Sequence, residues 1–261
     1  DVGSYANPTV IDLDFDGAPD LVSGRSTGEL LVYLNDEDGL IALAGDDNPL
    51  ADLDVGTYSR PVFADIDGDG DLDLVVGQRS GELTAFQSTP AGFQPFPAAR
   101  YVELQGDQDP FDGIEPGARS APAFMDFDGD GDMDLFVANS LGVVVGYENT
   151  TEGFVRLSDA ANPFHGIDIG SAGNLTFGDI DGDGDVDAII GNLRGQLAGL
   201  AATCLFAIRQ QNDCAAGRHV IQRPDSFCNG CSQWCLARGL QGVHRTENAR
   251  RGIFDRWKAQ I

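Results

Sequence analysis

Lysine is almost missing from this chain: one residue of 261, Lys258, is a lysine. Residues 1–203 contain none, and their 7 arginines stand against 38 acidic residues, a net charge of −31. A body this acidic repels nucleic acid and anionic membranes, so neither is expected as a partner. Cysteine is also absent from residues 1–203; all 5 lie between Cys204 and Cys235. The body therefore folds without disulfides, and its cysteine usage says nothing about redox compartment. No apolar run approaches the roughly 18 residues of a membrane helix, so no membrane insertion is expected. No stretch of signal-peptide type opens the sequence. It starts inside repeat register, as a mature product or an excised fragment would. Histidine is scarce, with His165 the body's single imidazole, which leaves few candidates for a general base of tuned pKa.

What is abundant is aspartate and glycine in a fixed pattern. Asp65-Ile66-Asp67-Gly68-Asp69-Gly70-Asp71-Leu72-Asp73 places carboxylates at positions 1, 3, 5 and 9 of a nine-residue loop, with Gly70 at position 6. Hard oxygen donors at this density suit Ca²⁺, which takes six to eight oxygens. Position 7 of such loops gives its backbone carbonyl, which leaves the Asp71 side chain spare. The loop recurs at Asp12–Asp20, Asp126–Asp134 and Asp179–Asp187. The first copy carries Ala18 at position 7, where only a carbonyl is needed, and keeps every side-chain ligand. An EF-hand would close with a bidentate Glu at position 12. Here position 12 is Ser23, Val76, Val137 and Ile190, which excludes an EF-hand and a dockerin-like module alike.

The loops sit in a longer repeat. A glycine anchors each unit at Gly3, Gly56, Gly117 and Gly170, and a proline follows at Pro8, Pro61 and Pro122, with Leu175 in the fourth. A short strand leads into each loop and a second leaves it, as in Asp73-Leu74-Val75-Val76-Gly77. A glycine turn (Gly28, Gly81, Gly142, Gly195) and a third strand come next. A fourth strand is expected at 40–44, 101–105 and 154–157. Three units end in Asn48-Pro49-Leu50, Asp109-Pro110-Phe111 and Asn162-Pro163-Phe164. The units are 1–53, 54–114, 115–167 and 168–203, the last incomplete. Four short strands cannot bury both faces of their own sheet, whereas stacked units can. The expected fold is all-β: a β-propeller or partial propeller of about four four-stranded blades, with an irregular tail.

The D-x-D-x-D-G-x-x-D loop, the apolar strand after it and the glycine turn resemble the FG-GAP/VCBS repeat, the Ca²⁺-binding blade of integrin-α-like propellers. The resemblance covers residues 1–203 and implies a Ca²⁺-stiffened binding scaffold, extracellular or at the cell surface, holding about four ions. Carried onto this sequence, the side-chain ligands are Asp12, Asp14, Asp16 and Asp20; Asp65, Asp67, Asp69 and Asp73; Asp126, Asp128, Asp130 and Asp134; and Asp179, Asp181, Asp183 and Asp187. Ala18, Asp71, Asp132 and Asp185 supply carbonyls at position 7. Integrin-type propellers have seven blades against four here, which reads as a small closed ring or a piece of a larger one. In the second case further repeats of the full-length protein would be neighbours.

Residues 204–261 break the pattern, with 9 basic and 4 acidic residues and no repeat. Cys228, Cys231 and Cys235 with His219 or His244 have partial zinc-site character, and a disulfide-bearing cap is a second reading. The simplest is a tail unrelated to the fold. For function, the leading expectation is a non-enzymatic binding or adhesion module for a protein or glycan ligand. The alternatives are a polysaccharide lyase or hydrolase on a propeller, and a structural spacer in a surface protein. A glycosidase needs two carboxylates about 5–9.5 Å apart, but the loop aspartates are committed to metal. Arg25, Arg79 and Arg194 follow the second strands and are candidates to line one rim or to form surface salt bridges.

Overall fold

The computed structural model describes residues 2–89, 100–180 and 184–200. The readings placed on residues 204–261, and the ligand positions Asp181 and Asp183, lie outside them. The described residues form four antiparallel sheets. The first holds β1 (Asn7–Ile11), β2 (Asp20–Gly24), β3 (Leu30–Asp36) and β4 (Gly39–Ala42). The second holds β5 (Arg60–Ala64), β6 (Asp73–Gly77), β7 (Leu83–Thr89) and β8 (Arg100–Glu103). The third holds β9 (Ala121–Met125), β10 (Asp134–Ala138), β11 (Val144–Thr150) and β12 (Gly153–Arg156). The fourth has three strands among the described residues: β13 (Asn174–Gly178), β14 (Asp187–Gly191) and β15 (Leu197–Leu200). Within each sheet the strands follow chain order. Among the described residues no helix is long and apolar enough to cross a membrane.

The unbroken apolar run of the second strand has a packing cause. A strand covered on one face alternates, and one covered on both reads as continuous hydrophobic sequence. In β6, Leu74 and Val76 enter the cluster shared with the first sheet, together with Val22, Val32 and Leu50. Val75 faces the other way, into the cluster with Leu135, Val137 and Tyr147 of the third sheet. A third cluster joins Phe136 and Phe164 of the third unit to Leu175 and Ile190 of the fourth. The closing motifs of the first three units plug the seams to the next unit. Leu50, Phe111 and Phe164 are 1%, 4% and 1% exposed, each held by an N–H bond to Asn48, Asp109 or Asn162 two residues back.

Polar latches cross two of the seams. Ser59 Oγ accepts from Arg25 N–H at 3.1 Å, and Ser120 Oγ accepts from Gln78 N–H at 2.9 Å. Both serines are fully buried. The glycine turn is required by the same close approach. Gly81 has φ +106°, and a Cβ there would lie 2.7 Å from the Gly117 carbonyl oxygen. The first strands lie side by side in chain order, β1 by β5, β5 by β9 and β9 by β13. Asn174 Nδ2 also donates to Asn7 Oδ1 at 3.2 Å, so the first and fourth units meet at these strands. The far face of the fourth sheet is uncovered among the described residues. Leu30, Leu83 and Val144 are 2%, 7% and 1% exposed, whereas Leu197, at the equivalent position, is 59% exposed.

Candidate metal centres

Each Asp-rich loop is the hairpin between the first and second strands of its sheet. The pairings Ile11–Asp20, Ala64–Asp73, Met125–Asp134 and Gly178–Asp187 place the position-9 aspartate at the base of that hairpin. It is the buried member, with Asp20, Asp73 and Asp134 each 1% exposed and Asp187 4%. Its two oxygens clamp the loop. Asp20 Oδ2 accepts from Leu13 N–H at 2.8 Å and Oδ1 from Asn35 N–H at 2.8 Å. Asp73 does the same with Ile66 and Ser88, and Asp134 with Phe127 and Asn149. In the fourth loop Asp187 Oδ2 accepts from Ile180 N–H at 3.0 Å. In the first three units one side chain, at the start of the second strand, thus ties that strand to the loop and to the third strand.

The upper part of the loop is wound by its own carboxylates. The position-1 aspartate accepts from the position-6 glycine N–H: Gly17 to Asp12, Gly70 to Asp65 and Gly184 to Asp179, at 3.0–3.1 Å. In the first three loops the position-3 oxygen accepts from the position-5 N–H, and the position-5 oxygen from the position-7 N–H. Ala18 fits this winding because its N–H and carbonyl are all the loop requires of it.

Among the described residues three groups of carboxylates come within metal-binding reach: Asp12, Asp14 and Asp20; Asp65, Asp67 and Asp73; Asp126, Asp128 and Asp134. Within each group one oxygen per residue lies no more than 4.8 Å from the others. In these three loops positions 1, 3 and 9 converge. Asp16, Asp69 and Asp130 at position 5 stand outside these groups, with an oxygen turned to the position-7 N–H. The side chains of Asp71 and Asp132 are in none of the groups.

The first loop carries the sharpest local signal. In loops two and three a glycine at position 4 donates to position 1: Gly68 to Asp65 Oδ1 at 2.7 Å and Gly129 to Asp126 Oδ1 at 2.6 Å. Position 4 of the first loop is Phe15, at φ 60°. Asp12 Oδ1 is left buried without a hydrogen-bond partner. A buried oxygen of a carboxylate normally finds a donor, and an all-oxygen cluster that lacks one fits a hard cation.

Electrostatics agree. Burial pushes the Asp73 and Asp134 carboxyls up to about 6, against the pull of two backbone N–H bonds each. Asp14 is also raised, first by burial and then by the charges of Asp20, Asp16 and Asp12. Packing anions this closely is unfavourable until something positive sits among them.

The arginines expected at a rim divide. Arg25 pairs with Glu29, and Arg79 lies over the Tyr58 ring at 5.1 Å. Arg60 and Arg119, which the sequence did not single out, face a cavity of about 360 Å³ where residues of all four units meet.

No curated protein matches the chain. Two stretches, residues 12–76 and 126–190, match the family described as FG-GAP-like repeat. Each match runs from the first aspartate of one loop through the strand after the next loop, so together they take in all four loops. The repeat, its loop and its sheet agree, and the chain belongs to the FG-GAP-like repeat family.

Proposed function

We propose that this chain is a calcium-stabilised, propeller-type binding module of extracellular setting, presenting its inter-strand loops to a ligand. The observation that carries the calcium part is the partnerless buried Asp12 Oδ1 inside a cluster of three carboxylates. Asp12, Asp14, Asp16 and Asp20 would hold the ion in the first loop, with the Ala18 carbonyl. The equivalent sets are Asp65, Asp67, Asp69, Asp71 and Asp73; Asp126, Asp128, Asp130, Asp132 and Asp134; and Asp179, Asp181, Asp183, Asp185 and Asp187. Bound Ca²⁺ supplies charge neutralisation there, and it links the first strand of a sheet to the second. Sites of this kind outside cells bind at about 10⁻⁴–10⁻³ M, a concentration of calcium that the cytosol does not hold, which favours the extracellular setting.

Four consecutive sheets with their first strands side by side, and a contact between the first and the fourth, support the propeller arrangement. Binding rather than catalysis is favoured by the state of the body's one imidazole. His165 and Asp159 are 3.6 Å apart and 57% and 83% exposed, too far for an aligned hydrogen bond. Calorimetric titration of chelator-treated protein with Ca²⁺ tests the reading. About four ions per chain at millimolar or tighter affinity is the expected result; no saturable binding, or binding unchanged by Asp65→Ala, contradicts it.

A further inference from the structure

The repeat delivers a second constellation, away from the Asp loops. Two residues after each anchoring glycine stand Tyr5, Tyr58, Arg119 and Ala172, with φ of 61°, 57°, 58° and 50°. Left-handed backbone is costly for residues with a Cβ and would be met more cheaply by glycine. The scaffold nonetheless holds four side chains in that conformation, and all four line the same cavity. The repeat geometry is constant here while the side chains are not, so the tyrosines and the arginine are not demanded by the turn.

The lining includes no aspartate or glutamate, in a chain with 42 acidic residues. Arg60 reaches in from β5. Its Nη1 donates to the Arg119 carbonyl at 3.1 Å and the Gly173 carbonyl at 3.5 Å. Its Nε and Nη2 have no acceptor among the described residues. The Arg119 guanidinium lies over the Tyr58 ring at 5.6 Å and pairs with no carboxylate among the described residues. Two guanidiniums held together without a counter-ion form a strong oxyanion site. Burial and the neighbouring Arg119 charge lower Arg60 to about 10, which fits two cations that lack an anion between them.

The rest of the lining narrows the ligand. Tyr5 and Tyr58 meet edge to face at 4.8 Å and give an apolar wall. Asn7, Asn174 and Asn192 add amide groups that can serve hydroxyls. At about 360 Å³ the cavity is larger than a lone oxyanion and in the range of small-ligand sites. A long polyanion would meet the acidic body on every side.

We propose that this inter-unit cavity binds a short anionic sugar, its oxyanion on Arg60 and Arg119 and its ring against Tyr5 and Tyr58. The proposal rests on the binding-module reading above and names its ligand class. The test is titration of the full chain in millimolar Ca²⁺ with glucuronate, glucose, glucose 6-sulfate and N-acetylglutamate, followed by ligand-observed NMR. Glucuronate or the sulfate should bind saturably and at least about tenfold more tightly than glucose, the scale of one charge-assisted hydrogen bond. Arg119→Asn, which suits a left-handed residue, should weaken that binding at least about tenfold with the melting temperature unchanged. Arg60→Met should do the same, with Ca²⁺ binding retained as the check on folding. Glucose binding equally well, no saturation by either anionic sugar, or full affinity in Arg119→Asn overturns the proposal. Tighter binding of N-acetylglutamate overturns it in favour of an acidic peptide. Ca²⁺ titration of the same samples reports on the scaffold independently, so loss of one reading is not loss of the other.

Discussion

In the first loop, Asp14 and Asp20 are both acidic members of one cluster, and their substitutions should behave oppositely when calcium is removed. Asp20 is 1% exposed, and its two oxygens take the N–H groups of Leu13 and Asn35 at 2.8 Å each. Asp20→Ala leaves two donors unmatched, at about 1–3 kcal/mol each. For a body of this size each kcal/mol moves the melting temperature by about 2–4 °C. The expected loss is therefore roughly 5–20 °C, and it should appear in chelator as well as in Ca²⁺. Asp14 has a different role. Its Oδ1 accepts one bond, from Asp16 N–H at 3.2 Å, which an asparagine oxygen can still accept. Its neighbours Asp12 and Asp20 lie within 4.8 Å, and at that distance a like-charge pair costs about 0.9 kcal/mol in water and about 3.5 at an effective dielectric of 20. Asp14→Asn removes two such pairs. It should raise the melting temperature in chelator and lower it in Ca²⁺, where a ligand is lost. The assay is differential scanning calorimetry of the parent and both variants under the two conditions. Asp14→Asn that destabilises equally in both, or Asp20→Ala that melts with the parent in chelator, would refute this division of roles.

Three shorter expectations follow from the same geometry. Asp71→Ala should change stability by less than about 0.5 kcal/mol, the usual scale for a surface substitution, because Ala18 already fills that position; urea unfolding in Ca²⁺ checks it. Gly81→Ala should cost more than about 2 kcal/mol, since the new methyl meets the Gly117 carbonyl at 2.7 Å and φ is +106°; the same urea midpoint reads it. In chelator, stability should fall as pH rises from about 4 to about 6. Asp73 and Asp134 are held near 6 in the fold, above the ordinary carboxylate value, so the neutral form is favoured folded and its contribution is lost on ionisation. A chelator melting temperature that climbs with pH over that window would show the sign to be wrong.

The loop was legible in the sequence because each of its positions is local: nine consecutive residues specify it, and Ala18 marks the position whose side chain the winding does not use. The strand order was legible for the same reason, since each sheet is a meander of neighbours in the chain. What was not legible lies between units. Asn48, Asp109 and Asn162 read as unit endings, yet their function is to seat Leu50, Phe111 and Phe164 in the next seam. Ser59 and Ser120 stand just before β5 and β9 without belonging to the loop motif, and become latches only when the preceding sheet is in place. Arg25, Arg79 and Arg194 stand out in the sequence by following the second strands, and Arg60 and Arg119 do not. Nothing in a linear reading brings residues 59 positions apart to one carbonyl. The second role of the position-9 aspartate was hidden in the same way. Its partner on the third strand is 15 residues on, beyond the loop motif.

The central claim is that calcium holds this fold together, and thermal unfolding tests it most directly. The full chain is melted in millimolar Ca²⁺ and again in excess chelator with Mg²⁺ supplied. Each ion bound to the folded state alone adds about 2.7 kcal/mol when present at a hundredfold its dissociation constant. With several such sites the melting temperature in chelator should fall by more than about ten degrees, or the cooperative transition should vanish. Superimposable melting curves under the two conditions would contradict the account.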